Sequence, residues 1–327
     1  MKKSLAKVLA CTLVLVILCS CAGIALADVD TAKLKIGLSM QTLGAPYFVV
    51  QNDSFIAACE AKGITVFASD AQGDMTKQQA DCEDLIAKGI NVLVINPCDA
   101  QGVVAVTKAA TDAGVAVFIM DNSASPDASY ISMIQSNNLA NGELVGNWLA
   151  EHFGSTEINM GILSGNQGNL LGVDRRIGVV KGVVETQLRL FNATSFKVVT
   201  QGWGAWSEEG GLNAAEDMIQ AAPTMNCIVA ENDSMALGAY TAVKNAGKEN
   251  DILILAAADG QKEALALIKE GKYGATGLNI PSFVAEKTLE IILKHLNGEA
   301  VPALVNTEPA CINASNIDQY YNPDSAF

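Results

Sequence analysis

The sequence predicts an α/β protein with two lobes, each a doubly wound parallel sheet, joined by a hinge. Short β-branched runs alternate with longer helical stretches from Leu34 onwards, which is the pattern of βαβ units. The alternation starts again after Ser136, and no long polar or Gly/Ser-rich linker separates the two halves. A chain of 327 residues is long enough for two hydrophobic cores.

The first half contains five apolar runs of strand length, with helical stretches between the first four. The predicted strands are 34–40, 65–69, 92–96, 115–121 and 130–134, and the predicted helices are 48–62, 75–88 and 101–113. Parallel strands joined by such helices carry helices on both faces of their sheet.

The second half repeats the pattern with five strands and six helices. The predicted strands are 158–163, 196–201, 227–230, 252–257 and 274–279, and the predicted helices are 138–153, 172–189, 207–221, 234–246, 260–270 and 283–297. Each half is close to the usual size of a single domain.

The stretch ENDSMALGAY, residues 231–240, follows the third strand of the second half and opens a helix. Asn232 lies at the carboxyl end of that strand, where open α/β sheets bind ligands. Its amide can donate and accept hydrogen bonds. We expect Asp233 or Ser234 to cap the helix and Gly238 to allow a neighbouring element to approach closely.

The N-terminus is typical of a signal peptide, predicted to cover residues 1–27 and therefore excluded from the fold. Three lysines precede a short apolar run at 8–18. Two processing sites remain open: cleavage after Ala27 of an Ala-Leu-Ala sequence, or a lipobox that leaves Cys21 acylated. Both place the mature protein outside the cytoplasm, either in the periplasm or at the cell surface.

The charge excludes several partners. Loss of the leader removes three lysines and no acidic residue, so the formal net charge changes from −14 to −17. A surface this acidic repels nucleic acid, and it does not favour adsorption to anionic lipid.

The cysteines outside the leader do not indicate a disulfide scaffold, because they are odd in number and widely spaced. They are Cys59, Cys82, Cys98, Cys227 and Cys311. We expect buried free thiols, with a bridge between Cys59 and Cys82 as an unsupported alternative.

Polar and aromatic residues collect where predicted strands end. They are Tyr47, Phe48, Asp121, Asn122, Arg175, Trp206, Asn232, Asp259 and Asn279. Carboxylate, amide and guanidinium groups bind vicinal hydroxyls, and aromatic rings cover the C–H faces of sugars. Taken singly, each has another explanation: the aspartates as helix caps, the aromatic residues as core, and Arg175 as half of a surface ion pair.

Catalytic signatures are missing from the sequence. His152 and His295 lie on predicted helices away from these strand ends, no Cys/His set matches a zinc site, and the glycines at 165–172 lack the Lys-Ser/Thr ending of a phosphate loop. We therefore expect a binding protein that is not an enzyme and needs no cofactor or metal.

The chain resembles the periplasmic sugar-binding proteins of ABC transporters, in the ribose-binding-like branch of the type I class. The motifs that carry the resemblance are Ile36-Gly37-Leu38-Ser39, Pro46-Tyr47-Phe48, Val94-Ile95-Asn96-Pro97-Cys98-Asp99, Phe118-Ile119-Met120-Asp121, Asp174-Arg175-Arg176-Ile177-Gly178, ENDSMALGAY and Ala258-Asp259-Gly260. They spread over residues 34–315 or so.

The resemblance implies roles for the strand-end residues. Stacking positions fall on Tyr47, Phe48 and Trp206, and polar ligand positions fall on Asp121, Arg175, Asn232, Asp259 and Asn279. The chain departs from the pattern at Asn122, where ribose binders usually carry arginine, and at Ala45, Ala258 and Asn279, which replace a polar residue, an aromatic residue and a glutamine. These departures imply a pocket with one fewer cation and one fewer ring, which suits another pentose, a hexose or a polyol better than ribose.

The resemblance also implies the domain division and the role. Three hinge crossings are expected, near 135–137, 279–280 and 308–309, so that residues 34–135 with 280–308 form one lobe and 136–279 with 309–327 the other. The expected function is a monomeric receptor that delivers a sugar or polyol to an ABC permease. A sensor that hands a signal molecule to a chemotaxis or signalling receptor is the alternative.

Overall fold

A computed structural model describes residues 29–327. The predicted leader, with Cys21 and Ala27, lies outside this range. Within it the chain forms twelve strands and nine α-helices, together with short 3-10 turns at Thr31–Lys33 and Ile317–Gln319. No helix among these residues has the length and apolar character needed to cross a bilayer.

The first sheet is entirely parallel and has the strand order β11-β5-β4-β3-β1-β2. Its strands are β1 (Lys35–Met40), β2 (Thr65–Asp70), β3 (Val92–Ile95), β4 (Ala116–Met120), β5 (Ser132–Gln135) and β11 (Leu304–Asn306). Its helices are α1 (Pro46–Glu60), α2 (Met75–Ala87), α3 (Val104–Asp112) and α9 (Pro281–Leu296).

Alternate residues of each strand point to opposite faces of the sheet, so the first sheet has two cores. Phe118 and Met120 of β4 join a core with α1 and α9, whereas Val117 and Ile119 join a core with α2 and α3. Helices therefore cover both faces, as the doubly wound class predicts.

The second sheet has the order β12-β10-β9-β8-β6-β7, and only β12 is antiparallel to its neighbour. Its strands are β6 (Ile158–Ser164), β7 (Phe196–Trp203), β8 (Cys227–Ala230), β9 (Leu253–Asp259), β10 (Ala275–Leu278) and β12 (Cys311–Asn313). Its helices are α4 (Asn138–Phe153), α5 (Leu170–Phe191), α6 (Glu208–Ala221), α7 (Asp233–Asn245) and α8 (Lys262–Lys269).

The chain passes between the sheets three times: after β5, after β10, and between β11 and β12. The predicted fold class, two doubly wound parallel lobes joined by a hinge of three crossings, is confirmed. Strands β11 and β12 were not predicted, because three residues are too few to show a periodicity.

Several predicted boundaries at the site were wrong. Strands β4 and β10 end at Met120 and Leu278, one residue before the predicted ends at Asp121 and Asn279. Helix α1 begins at Pro46, whose fixed φ suits the first helical turn, so Tyr47 and Phe48 lie within the helix. Strand β7 continues to Trp203, and β9 continues to Asp259. Hydrogen bonding to neighbouring strands extends both beyond their apolar runs.

The described cysteines are free, as expected. Cys59 belongs to the core between the first sheet and α1, whereas Cys82 belongs to the core on the other face. The sheet thus separates them, which rules out the alternative bridge. The prediction of burial was wrong for Cys98 and Cys311, which are half-buried.

Glycines allow unusually close packing between helices of the second lobe. A Cβ added at Gly146 would lie 2.2 Å from the Val179 carbonyl oxygen, and one at Gly182 would lie 2.1 Å from the Glu143 carbonyl oxygen. Helices α4 and α5 therefore touch backbone to backbone. Gly238 plays the predicted part between α7 and α6, because its Cβ would lie 2.0 Å from the Glu208 carbonyl oxygen.

We predict that Gly146→Ala lowers the free energy of unfolding by about 1–3 kcal/mol, because the added methyl group forces α4 away from α5. Denaturant unfolding followed by circular dichroism measures this change. Glu151→Ala is the control: it alters an exposed ion pair with Arg189 on the same two helices and should stay within about 0.5 kcal/mol of the wild type. An equally small effect of Gly146→Ala would contradict the packing argument.

Candidate functional site

Five of the predicted residues form one polar network, which we define as Tyr47, Asp121, Arg175, Asp259 and Asn279. Asp121 follows β4 of the first sheet, and Tyr47 lies in the first turn of α1. Arg175 is in the second turn of α5, Asp259 ends β9, and Asn279 follows β10. The two lobes thus meet where their parallel strands end. We call this region between the lobes the cleft.

Tyr47 joins the lobes. Its hydroxyl group lies 3.0 Å from Oδ1 of Asp121 and 3.0 Å from Oδ1 of Asn279. A phenol has one hydrogen, so it donates to one of these acceptors at a time. Asn279 Nδ2 donates to Oδ1 of Asp259 at 2.9 Å, which continues the network into the second lobe.

Arg175 is the cation of the network and is only 4% exposed. Its Nε donates to Oδ1 of Asn138 at 2.8 Å, and its Nη1 donates to the carbonyl oxygen of Glu231 at 2.9 Å. Its Nη2 lies 3.6 Å from Oδ1 of Asp259. The alternative of a surface ion pair is therefore excluded. A fixed guanidinium with its edge towards Asp259 can also bind a planar or vicinal acceptor pair.

Burial dominates the electrostatics of the two aspartates. It raises the pKa of Asp259 to about 7, against the attraction of Arg175, and the nearby Asp233 carboxylate raises it further. Burial also raises the pKa of Asp121, which Arg175 and hydrogen bonds from Tyr47 and Asn96 oppose. Burying a charged carboxylate without enough hydrogen bonds costs free energy. Sugar hydroxyl groups can donate hydrogen bonds that reduce this cost.

Asp121 has a left-handed backbone, with a φ of 68°. Aspartate tolerates this region better than most residues, although it still costs free energy. Asn96, which follows β3, donates from Nδ2 to Gln51 at 2.8 Å and reaches Oδ2 of Asp121 at 3.4 Å. Asp121 caps no helix in the structure, so that alternative is also excluded.

Trp206 and Asn232 lie together beside Arg175. The Trp206 ring lies 5.8 Å from the Arg175 guanidinium and contacts Gly165 so closely that a Cβ there would overlap the indole. Asn232 Nδ2 donates to the Trp206 carbonyl oxygen at 3.3 Å, and Oδ1 accepts from the backbone N–H of Met235 at 3.1 Å. Asn232 itself is thus the N-cap of α7.

The structure does not bring Phe48 and Asn122 into the polar network. Phe48 packs against the core of the first lobe and meets the edge of the Tyr47 ring. Asn122 donates from Nδ2 to the carbonyl oxygen of Pro97 at 2.8 Å. Both side chains are half-buried, and each directly follows a network residue in the sequence: Phe48 follows Tyr47, and Asn122 follows Asp121.

The prediction that Asp233 or Ser234 caps the helix was wrong. Asp233 is fully buried, and its Oδ2 accepts the backbone N–H groups of Asp259, Gly260 and Gln261 at 2.7–3.1 Å. Its Oδ1 accepts the Tyr273 hydroxyl at 2.6 Å. Asp233 thereby ties the loop of Asp259 to the turn of Asn232.

Two supporting residues were missed by the sequence analysis. Glu231 accepts the Gly165 backbone N–H at 2.8 Å and forms a close ion pair with Arg176, while its carbonyl oxygen holds Arg175. Asn138 orients Arg175 from α4. Glu231 is an acidic residue directly after the apolar run at 227–230, a sequence signal that could have identified it, whereas Asn138 showed no such signal.

The cleft offers carboxylate and amide acceptors, a buried guanidinium and the rings of Tyr47 and Trp206. This combination can hold a small molecule with several adjacent hydroxyls. Among residues 29–327, no group of three or more His, Cys, Asp or Glu side chains is arranged to hold a metal ion.

Comparison with known proteins places the chain in a family. Residues 36–300 match the periplasmic binding protein domain. The ribose import binding protein of Bacillus subtilis (strain 168) is 31% identical over 310 residues, which cover 94% of this chain and 97% of that protein. The chain belongs to the periplasmic binding protein family, and its resemblance to the ribose-binding-like, type I branch is confirmed.

Solved structures of solute-binding proteins have the same fold as this chain. An ABC transporter solute-binding protein from Mycobacterium smegmatis, with bound glycerol, is 32% identical with a TM-score of 0.82, covering 90% of this chain and 98% of that one. A periplasmic solute-binding protein from Actinobacillus succinogenes, with bound D-allose, is 26% identical with a TM-score of 0.80, covering 88% and 100%.

The raised pKa of Asp259 predicts a pH dependence. Because its pKa is about 7 in the folded protein against an ordinary 3.8, the folded state holds the proton more tightly. Its stability contribution is complete at acid pH and is lost as the pH rises through about 7. In ligand-free protein, the free energy of unfolding of the wild type should fall relative to that of Asp259→Asn between pH 4 and 8.

Urea unfolding of both proteins across this pH range measures the difference. The comparison cancels every other titrating group that the two proteins share. A difference that stays constant, or that grows with pH in favour of the wild type, would contradict a raised pKa for Asp259.

Proposed function

We propose that this protein is an extracytoplasmic receptor that captures a monosaccharide or polyol in the cleft and delivers it to an ABC permease. The observation that carries the proposal is the buried polar network, which joins Asp121 of one lobe to Arg175 and Asp259 of the other. A ligand that bonds to both sides stabilises the closed protein and shifts the population towards it.

The ligand class follows from the chemistry of the network. The carboxylates accept hydrogen bonds from hydroxyl groups, Arg175 donates to hydroxyl oxygens, and the Tyr47 and Trp206 rings pack on C–H surfaces. Relatives named for ribose import, and related structures with glycerol or D-allose, support a small polyhydroxylated ligand. The pocket implied by Asn122 and Ala258 is less cationic and less aromatic than that of ribose binders, which favours a ligand other than ribose.

We divide the nine strand-end residues into two groups. We assign direct ligand contacts to the polar network and to Trp206 and Asn232, and an outer position to Phe48 and Asn122. Asn232 can serve both as helix cap and as ligand contact, because an amide has more hydrogen-bonding capacity than the cap uses.

The lobe boundaries are part of the proposal: 34–135 with 280–308, and 136–279 with 309–327. The three crossings between the sheets support these boundaries. We further infer that the protein acts as a monomer, has no catalytic activity, binds no nucleic acid, and is exported by its leader, either after cleavage at Ala27 or as a lipoprotein through Cys21.

A thermal-shift screen over pentoses, hexoses and polyols tests the ligand class. D-Ribose, D-allose, myo-inositol and glycerol form the first panel. A ligand at about 100 times its dissociation constant adds about 2.7 kcal/mol to the free energy of unfolding, which is a clear rise in unfolding temperature. No shift with any member of a broad panel would contradict the proposal.

Loss of a network residue should weaken binding of whichever sugar the screen identifies. We expect Asp121→Ala and Arg175→Ala each to cost at least about 1.5–3 kcal/mol of binding free energy, because a charged partner of a buried hydroxyl is lost. Isothermal titration calorimetry measures this cost, and ligand-free unfolding curves show whether each variant is folded.

Arg189→Ala is the matched control, since Arg189 is on the same helix as Arg175 with a side chain 60% exposed. Its affinity should equal that of the wild type. Unchanged affinity in both network variants would refute the assignment of the site.

A further inference from the structure

An aromatic residue far along the chain lies against the network. The Phe327 ring meets the Tyr47 ring edge to face, with centroids 5.5 Å apart and an interplanar angle of 83°. Phe327 is 9% exposed, whereas Asn322, Pro323, Asp324 and Ala326 of the same segment are exposed. The ring is therefore the buried anchor of an otherwise solvated segment, residues 322–327.

The segment belongs to the second lobe. It follows Ile317, Tyr320 and Tyr321, which pack on the core of the second sheet. Lys262, the first residue of α8, donates from Nζ to the Ser325 carbonyl oxygen at 2.6 Å. The backbone that presents Phe327 is thus fixed to α8, on the side of the cleft opposite Tyr47.

Ser325 fixes the local conformation. Its hydroxyl donates to the Phe327 carbonyl oxygen at 2.6 Å, and it lies 3.3 Å from the Phe327 backbone nitrogen, whose hydrogen it accepts. These bonds hold the Phe327 backbone close to Ser325. The phenyl ring consequently projects from a braced turn across to α1 of the first lobe.

The contact reaches the network through a single residue. Tyr47 carries the hydroxyl group that bonds to Asp121 and lies within reach of Asn279. With Phe48 on one side and Phe327 on another, the Tyr47 ring has two edge-to-face neighbours, one from each lobe. Such pairs are favourable beyond the area they bury, so Phe327 both orients Tyr47 and links the lobes.

We propose that Phe327 is an aromatic wall of the ligand site, supplied by the second lobe, that covers a C–H face of the bound sugar beside Tyr47 and holds the lobes together. This inference rests on the proposed function for its ligand. In this proposal, residues 322–327 supply an aromatic ring to a cleft that has alanine at position 258, near the end of β9.

The test compares Phe327→Ala with the wild type by calorimetry and stopped-flow binding of D-ribose and D-allose. We expect the dissociation constant to rise about tenfold, mainly through faster dissociation, because an aromatic contact to ligand and Tyr47 is lost. Phe327→Tyr keeps the ring and should stay within about twofold of the wild type.

Phe191→Ala is the matched control, because Phe191 ends α5 in the same lobe, is 41% exposed and takes no part in the network. Its affinity should not change. Ligand-free unfolding temperatures show that all variants are folded. Unchanged affinity of Phe327→Ala, with normal binding by the wild type, would overturn the inference and leave the proposed function intact. Tighter binding would also overturn it, since Phe327 would then compete with the sugar.

Small-angle X-ray scattering of ligand-free protein gives a second readout that needs no sugar. Loss of the link between lobes should increase the radius of gyration of Phe327→Ala relative to the wild type and to Phe191→Ala. If the wild type binds neither sugar, the proposed ligand class is left to the thermal-shift panel, and the scattering comparison alone decides this inference: a larger radius supports the link, and equal radii overturn it.

Discussion

The pairing of Arg175 with Asp259, buried between two lobes, is the interaction on which the site depends. Asp121, Asp233 and Asp259 are three buried carboxyl groups. Burial raises the pKa of Asp121 and of Asp259. Arg175 opposes this rise in the pKa of both aspartates, and it is held by Asn138 and the Glu231 backbone. Breaking a buried pair of this kind typically costs about 3–5 kcal/mol.

The fold supplies this geometry through its strand ends. In both sheets, the parallel strands end on the same side of the sheet. The three crossings place these two sets of strand ends opposite each other. Supporting contacts then fix each group: Asp233 binds three backbone N–H groups of the Asp259 loop, and Glu231 binds Gly165 and Arg176. A site held this way is arranged before its ligand arrives, which reduces the cost of binding.

The sequence predicted the architecture and five members of the network because both depend on local patterns. Apolar runs identify strands, and Asp121, Asp259 and Asn279 follow such runs directly. The supporting contacts could not be predicted this way, because Asp233 reaches residues 26–28 positions away. Three successive polar residues in the turn also made the cap ambiguous, and only the backbone geometry selects Asn232. Phe327 has no local signal at all, because its partner Tyr47 lies 280 positions earlier in the sequence.

The central claim is that one small polyhydroxylated ligand is bound by side chains of both lobes at once. A crystal structure of the protein with its sugar tests this most directly. We expect the sugar to lie between the sheets, with hydroxyl groups within hydrogen-bonding distance of Asp121 from the first lobe and of Arg175 and Asp259 from the second. A sugar bound to one lobe alone, or bound away from these three residues, would contradict the account.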